Sequence, residues 1–259
     1  MKIAIIGAGN MGKAIVRGLY ESKLCSAKDL FVADIDRNNL ESIKEIDKNI
    51  FTTADNREAV TTADYIVLAV KPWLVDEVFR QLKPSLNAAQ HTIVSIAAGV
   101  SLEAIAERVG NNFTLFRVLP NTAVSIHESM TFVSSLNASK KQEEEILSIF
   151  GKLGRAMPVQ ESLMAAFTSV SSCGIAYALR YIRAATQGAV ELGIRPETAQ
   201  EVIAQTMIGA ARLILQNGTN PESEIDKVTT PGGWTIKGLN AMEEHGFSNA
   251  VIKGIKANK

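Results

Sequence analysis

Ile3-Ala4-Ile5-Ile6-Gly7-Ala8-Gly9-Asn10-Met11-Gly12 is the stretch that decides the fold. Four apolar residues in a row suit a strand buried on both faces. The Gly7-x-Gly9-x-x-Gly12 spacing then opens an amphipathic pattern with Met11, Ala14, Ile15, Gly18 and Leu19 on one face. The order is strand, glycine turn, helix. In that order the glycines differ in role, since Gly7 makes the tight turn, Gly9 lets a pyrophosphate approach the backbone, and Gly12 lets helix and strand pack closely. A second apolar run, Leu30-Phe31-Val32-Ala33, ends at Asp34, about twenty residues on, where a carboxylate can meet an adenosine ribose. The stretch predicts dinucleotide binding; a glycine turn that serves packing alone is the alternative.

Moving outward, apolar runs recur at 50–51, 65–70, 92–96, 114–119 and 130–133, with helix-like segments between most of them. That rhythm predicts a doubly wound parallel sheet, whose ligands lie beyond the carboxyl ends of its strands. The residues to inspect there are Asp34, Lys71-Pro72, Ala97-Ala98-Gly99 and Pro120-Asn121-Thr122. Strand signals stop near Gln160, and helical patterns follow at 163–192, 196–216, 235–245 and 248–257. The expected fold class is α/β: a Rossmann-type doubly wound N-terminal domain over 1–160 and an all-helical C-terminal domain over 161–259 for substrate binding and dimerisation. Ile175, Ala176, Ala178, Leu179, Ile182, Ala185 and Ala189 form a face too broad for one helical layer to cover, which predicts a homo-oligomer.

Composition narrows the function. The chain has 259 residues, 46% of them hydrophobic, with 27 Lys+Arg against 27 Asp+Glu, so no basic field points to nucleic acid or an anionic membrane. A small molecule is the expected ligand. Cys25 and Cys173 stand far apart with no His/Cys cluster, which predicts no metal, no disulfide framework and a reducing compartment. Gly7, Gly9 and Asn10 cut the first apolar run too short for a signal peptide, and no apolar span of membrane length is expected elsewhere. The reading is a cytoplasmic protein.

Near the C-terminus, Thr229-Thr230-Pro231-Gly232-Gly233-Trp234-Thr235 forms a turn before another helix, so the amides of Gly233, Trp234 and Thr235 are expected to hold an anion. Thr235 is read either as a ligand for substrate or as the cap of that helix. Carbonyl reductases place an acid against the developing alkoxide. Here the candidates are poor: His91, His127 and His245 read as surface residues, and Tyr177 is followed four positions on by Tyr181 rather than lysine. An imine avoids the difficulty, because its nitrogen can enter protonated and its carbon then accepts hydride to leave a neutral amine.

Together with Leu68-Ala-Val-Lys-Pro72, Arg117-Val-Leu-Pro-Asn-Thr122, Gly188-x-x-x-x-Gly193 and Val228 to Thr235, the opening motif resembles the pyrroline-5-carboxylate reductase family over nearly the whole chain. The resemblance implies NAD(P)H-dependent reduction of 1-pyrroline-5-carboxylate to L-proline by a homodimer or ring of dimers. It implies a dinucleotide site of Gly7, Ala8, Gly9, Asn10, Met11, Gly12, Asn56, Ala69, Val70, Lys71, Pro72, Ile96, Ala97 and Ala98, with Asn121 similarly placed, and Asp34 joins that site by its place after the second apolar run, where family members more often carry a small or amide residue. It places Lys71, Thr230, Gly233, Trp234 and Thr235 on the substrate, with Thr235 catalytic. The chain departs from the family pattern at Ser172, Cys173, Ile175, Arg183 and Trp234, which keeps two alternatives: a reductase of another cyclic imine or small oxo acid, and a non-catalytic dinucleotide sensor. A carboxylate at Asp34 repels a 2′-phosphate, so NADH is expected to serve at least as well as NADPH, unless Arg37 reaches the phosphate or Asp34 only caps the helix that begins nearby.

Overall fold

The first four strand residues divide their side chains between two cores. Ile3 and Ile5 pack on one face with Ile15, Leu19, Val67, Val94 and Phe116, while Ala4 and Ile6 pack on the other with Ile66, Leu68, Ile93 and Leu115. A strand buried on both faces belongs inside a helix-covered parallel sheet. The computed structural model describes residues 1–257 and shows that sheet. In chain order the elements are β1 (Ile3–Ile6), α1 (Asn10–Glu21), β2 (Leu30–Ala33), α2 (Arg37–Lys44), β3 (Phe51–Thr53), α3 (Asn56–Val60), β4 (Tyr65–Leu68) and α4 (Val75–Leu82). After them come β5 (Thr92–Ser95), α5 (Leu102–Val109), β6 (Thr114–Leu119), β7 (Ser129–Leu136), α6 (Lys140–Gly151) and β8 (Gly154–Pro158).

The strand order is β3-β2-β1-β4-β5-β6-β7-β8. The six strands from β3 to β6 in that order are parallel to their neighbours, β7 turns antiparallel to β6, and β8 runs parallel to β7. The order reverses beside β1, so the switch point of the sheet lies at the carboxyl ends of β1 and β4. Three features depart from the sequence expectation, the first being β7, whose run was expected in a parallel sheet and is antiparallel to β6. β8 is an added strand in Gly154-Arg155-Ala156-Met157-Pro158, which has no apolar run; as an edge strand it tolerates Pro158. His91, expected on the surface, is 3% exposed, and its Nδ1 accepts from the Asn87 amide at 3.0 Å. Burial lowers its pKa below the ordinary histidine value, so it sits there neutral.

The chain divides into two compact units, Met1–Ser172 and Cys173–Lys259. The first ends with a short helix, α7 (Met164–Phe167), and a π turn at Thr168–Ser172. The second is all-helical: α8 (Cys173–Glu191), α9 (Pro196–Asn217), α10 (Pro221–Lys227), α11 (Trp234–Glu244) and α12 (Phe247–Lys256). Pro196 opens α9 and Gly218, at φ 63°, closes it in the left-handed region that favours glycine. Within this unit Ala199 is buried, while Leu192 is 84% exposed and Leu179, Val202, Leu215 and Ile252 lie open as well. Such a surface on a helical layer marks an interface.

One expectation about membranes is corrected. Among the described residues, the helical stretch Glu161–Glu191 is long and apolar enough to cross a bilayer by length and composition, with a mean hydropathy of 1.4 in its richest window. The span is inconspicuous in sequence because large apolar residues such as Leu163, Phe167, Ile175 and Leu179 are spaced out among Ala, Ser, Thr and Gly rather than forming a run.

Candidate active site

The glycine turn sits at the switch point, and its geometry gives the three glycines separate roles. Gly7 has φ 100°, which side chains rarely adopt, and its amide donates to the Ala33 carbonyl at 2.8 Å. A Cβ on Gly12 would lie 1.9 Å from the Gly7 carbonyl oxygen, so helix and turn touch there without room for a methyl group. Gly9 differs: its φ of −63° is ordinary, and a Cβ added to it would meet nothing within 4 Å. Open space above an unstrained glycine is what an approaching ligand needs. The first intrahelical bond of α1 runs from the Lys13 amide to the Gly9 carbonyl at 2.9 Å, so the amides of Asn10, Met11 and Gly12 precede the helical ladder and are available to an anion. These residues fit a dinucleotide pyrophosphate.

Asp34 follows β2 and its carboxylate is already engaged. Oδ2 accepts from the Ala8 amide at 2.6 Å and from Asn39 Nδ2 at 3.2 Å, and Oδ1 accepts from the Asp36 amide at 2.8 Å. The cap of α2 is Asp36, whose Oδ1 accepts from the Asn38 amide at 2.9 Å. Asp34 is therefore not the helix cap; it braces the glycine turn. Arg37, the first residue of α2, is exposed.

The other expected dinucleotide residues fall at neighbouring strand ends. The Ala69 amide donates to the Ile6 carbonyl at 2.8 Å, and Ala69 and Val70 crowd Gly7. Lys71 is exposed just before the turn Pro72–Leu74, where Trp73 stands 75% exposed. Asn56 opens α3 behind the Asp55 cap and donates from Nδ2 to Gln81 Oε1 at 2.9 Å. Ile96, Ala97 and Ala98 follow β5, with Ala97 buried and Ala98 exposed.

Asn121 lies deeper than the sequence suggested. It is 6% exposed, its Oδ1 accepts from the Ala123 amide at 3.0 Å, its Nδ2 donates to Ser171 Oγ at 3.0 Å, and its own amide donates to Ser129 Oγ at 3.1 Å. Its turn-forming role is thus filled, and it ties that turn to the π turn. Arg117 of the same motif is bonded to Glu161 at 2.9 Å, and Glu161 in turn accepts from the Leu102 amide at 2.7 Å. Neither Ser171 nor Glu161 carries a sequence signal, because both bonds join residues more than forty positions apart.

In the helical unit, Gly232 adopts φ 71° and Gly233 is the N-cap of α11, with no side-chain cap. The Gly233 amide donates to the Thr230 carbonyl at 2.9 Å, so it is spent on the turn. Of the three amides expected to face an anion, those of Trp234 and Thr235 are not used by this turn. A Cβ on Gly233 would lie 2.6 Å from Thr230 Oγ1, which holds Thr230 against the turn. Thr235 is the second residue of α11, exposed, and is not its cap. Trp234 is 89% exposed within its unit. Tyr177 Oη donates to the Gly254 carbonyl at 3.3 Å, a tie between α8 and α12.

A glycine cradle at the switch point, with a carboxylate after the second strand, defines a Rossmann-type dinucleotide-dependent oxidoreductase. Residues 161–259 match the family described as pyrroline-5-carboxylate reductase dimerisation, and residues 2–99 match that described as NADP oxidoreductase, coenzyme F420-dependent. The chain is 34% identical to pyrroline-5-carboxylate reductase of Methanosarcina acetivorans, covering 100% of this chain and 97% of that one. It therefore belongs to the pyrroline-5-carboxylate reductase family. It is also 37% identical to pyrroline-5-carboxylate reductase 1 of Dictyostelium discoideum over 98% of its own length, but it spans only 48% of that longer protein. Among solved structures, the Coxiella burnetii pyrroline-5-carboxylate reductase aligns with a TM-score of 0.90 at 30% identity, covering 99% of this chain and 95% of that one. The chain is an enzyme that uses NAD(P)H, and its helical unit is a dimerisation domain.

Proposed function

We propose that the chain reduces 1-pyrroline-5-carboxylate to L-proline and that its two units each hold one reactant. The observation that carries this reading is that each unit has a helix N-terminus behind a glycine turn with no side-chain cap, α1 in the first and α11 in the second. Bound NAD(P)H supplies the hydride. The amides of Asn10, Met11 and Gly12 hold the pyrophosphate, Asp34 meets the adenosine ribose, and Asn56, Ala69 to Pro72, Ile96 to Ala98 and Asn121 shape the rest of that side. The amides of Trp234 and Thr235 hold the substrate carboxylate, Thr230 and Gly233 set their turn, and Lys71 is the substrate-side residue that the first unit contributes.

The catalytic group is Thr235. A protonated imine nitrogen donates its hydrogen bond to Thr235 Oγ1, which fixes the ring so that one carbon faces the hydride donor. No strong acid is required, because the product is a neutral amine rather than an alkoxide. Orientation supplies most of the rate: converting a bimolecular transfer to an effectively intramolecular one is worth about 7–11 kcal/mol.

The finer cofactor preference follows from Asp34. Its carboxylate accepts a ribose hydroxyl and repels a 2′-phosphate, and Asp36 adds a second carboxylate two residues on. We expect kcat/KM for NADH to equal or exceed that for NADPH in steady-state assays with pyrroline-5-carboxylate. A tenfold advantage for NADPH would transfer the role to Arg37.

The exposed apolar faces of α8 and α9 are covered by a second copy, as a homodimer or a ring of dimers, and the charge-poor stretch Glu161–Glu191 serves that contact rather than a bilayer. Light scattering at micromolar concentration is expected to show at least a dimer; a fully active monomer would contradict this. Both cysteines are free, in keeping with a reducing compartment, and we place the enzyme in the cytoplasm.

A further inference from the structure

A carboxylate offers about four lone-pair positions, and in Asp34 three are taken. Oδ2 receives both the Ala8 amide and Asn39 Nδ2, and Oδ1 receives the Asp36 amide. One acceptor position remains, on Oδ1. The three donors come from three separate places: the glycine turn, the loop after β2, and the first turn of α2. They fix both the rotation and the tilt of the carboxylate, so the open position points in one direction only. Of the three, Asn39 is the only side chain. It is half-buried, and its own carbonyl accepts from Ser42 Oγ at 2.7 Å, which anchors it within α2.

We infer that Asn39 is a positioning residue for dinucleotide selection: by holding Asp34 Oδ2 it aims the last free acceptor of Asp34 at one adenosine ribose hydroxyl. The inference rests on the proposed role of Asp34. Asn39 acts through Asp34 and need not touch the dinucleotide. Without it, the carboxylate keeps its charge and its two backbone donors, but Oδ2 loses its one side-chain tether and gains a competing free position. Recognition of a ribose hydroxyl then weakens, because the hydroxyl must order the acceptor as well as bond to it. Repulsion of a 2′-phosphate changes little, since it depends on charge rather than on orientation.

The test is calorimetric titration of the full chain with NAD+ and separately with NADP+, in the absence of any imine, for wild type and Asn39→Ala. The expected result is that Asn39→Ala weakens NAD+ by about three- to tenfold, the worth of one oriented hydrogen bond, while the NADP+ dissociation constant moves by less than about twofold. KM for pyrroline-5-carboxylate is expected to stay unchanged. Equal losses for both dinucleotides would assign Asn39 to the stability of α2 and overturn the proposal, and so would no change for either. Wild-type preference for NADP+ would instead overturn the reading of Asp34 itself, an outcome visible before any variant is made. Should Asn39→Ala fail to fold, Asn39→Ser removes the same bond with a smaller loss of polarity; failure of both makes Asn39 a fold residue and rejects its proposed role.

Discussion

Gly9→Ala is expected to fold with a melting temperature close to that of the wild-type chain and to bind dinucleotide about 10- to 100-fold more weakly. Gly9 has an ordinary backbone conformation, and an added methyl group meets nothing within 4 Å in the protein itself, so the folded state has no reason to object. As an N-cap, alanine is poorer than glycine by only about 0.5–1 kcal/mol. The methyl group occupies the space through which the pyrophosphate must approach. A steric displacement costing about 1.4–2.7 kcal/mol, within the usual range for overpacking, converts to the stated loss of affinity. Gly12→Ala makes the contrast: its methyl would lie 1.9 Å from the Gly7 carbonyl oxygen, so both melting temperature and affinity should fall. Thermal melts and dinucleotide titrations on the pair separate the two roles. Full dinucleotide affinity in Gly9→Ala would move the pyrophosphate elsewhere.

Thr235→Ala is expected to lower kcat with pyrroline-5-carboxylate by roughly 5- to 150-fold, the loss of about 1–3 kcal/mol for one hydrogen bond to a charged group in the transition state. The structure sharpens this prediction. Because Gly233 caps α11 and Thr235 follows it by two residues, removing the hydroxyl does not uncap the helix, and the melting temperature should hold. Dinucleotide affinity should hold as well. Loss of kcat with stability and cofactor binding intact is the signature of a group that orients the imine. Unaltered kinetics would remove Thr235 from the site.

Features with local causes were legible in the sequence. The glycine turn could be read because its main demands are local: Gly7 adopts φ 100°, and a Cβ on Gly12 would strike the Gly7 carbonyl five residues before it. The buried runs of β1, β2 and β4 stand out because both faces of each are covered, which leaves an unbroken apolar string, while Ser95 in β5 and Arg117 in β6 interrupt shorter ones. α10 was missed although its start carried a sequence signal, Asn220 capping ahead of Pro221; its remaining residues are few and highly charged. β8 left no comparable trace. Asp34 and Asp36 stand two residues apart, and either suits a helix cap; only the observed path of the chain gives the cap to Asp36 and turns Asp34 back to the Ala8 amide. The burial of His91 and the bond from Asn121 to Ser171 are likewise tertiary facts. At the second cradle, pattern alone showed a turn before a helix, but not that the turn itself consumes the Gly233 amide.

Hydride passing from the nicotinamide to the imine carbon of pyrroline-5-carboxylate is the step on which every proposed role depends. The most direct measurement of it is turnover with NADH carrying two deuterons at C4, followed by mass and NMR analysis of the product. The predicted product is L-proline with one deuterium at C5, the former imine carbon. Oxidation of the labelled dinucleotide with no deuterium in proline, or no consumption of either NADH or NADPH in the presence of pyrroline-5-carboxylate, would contradict it.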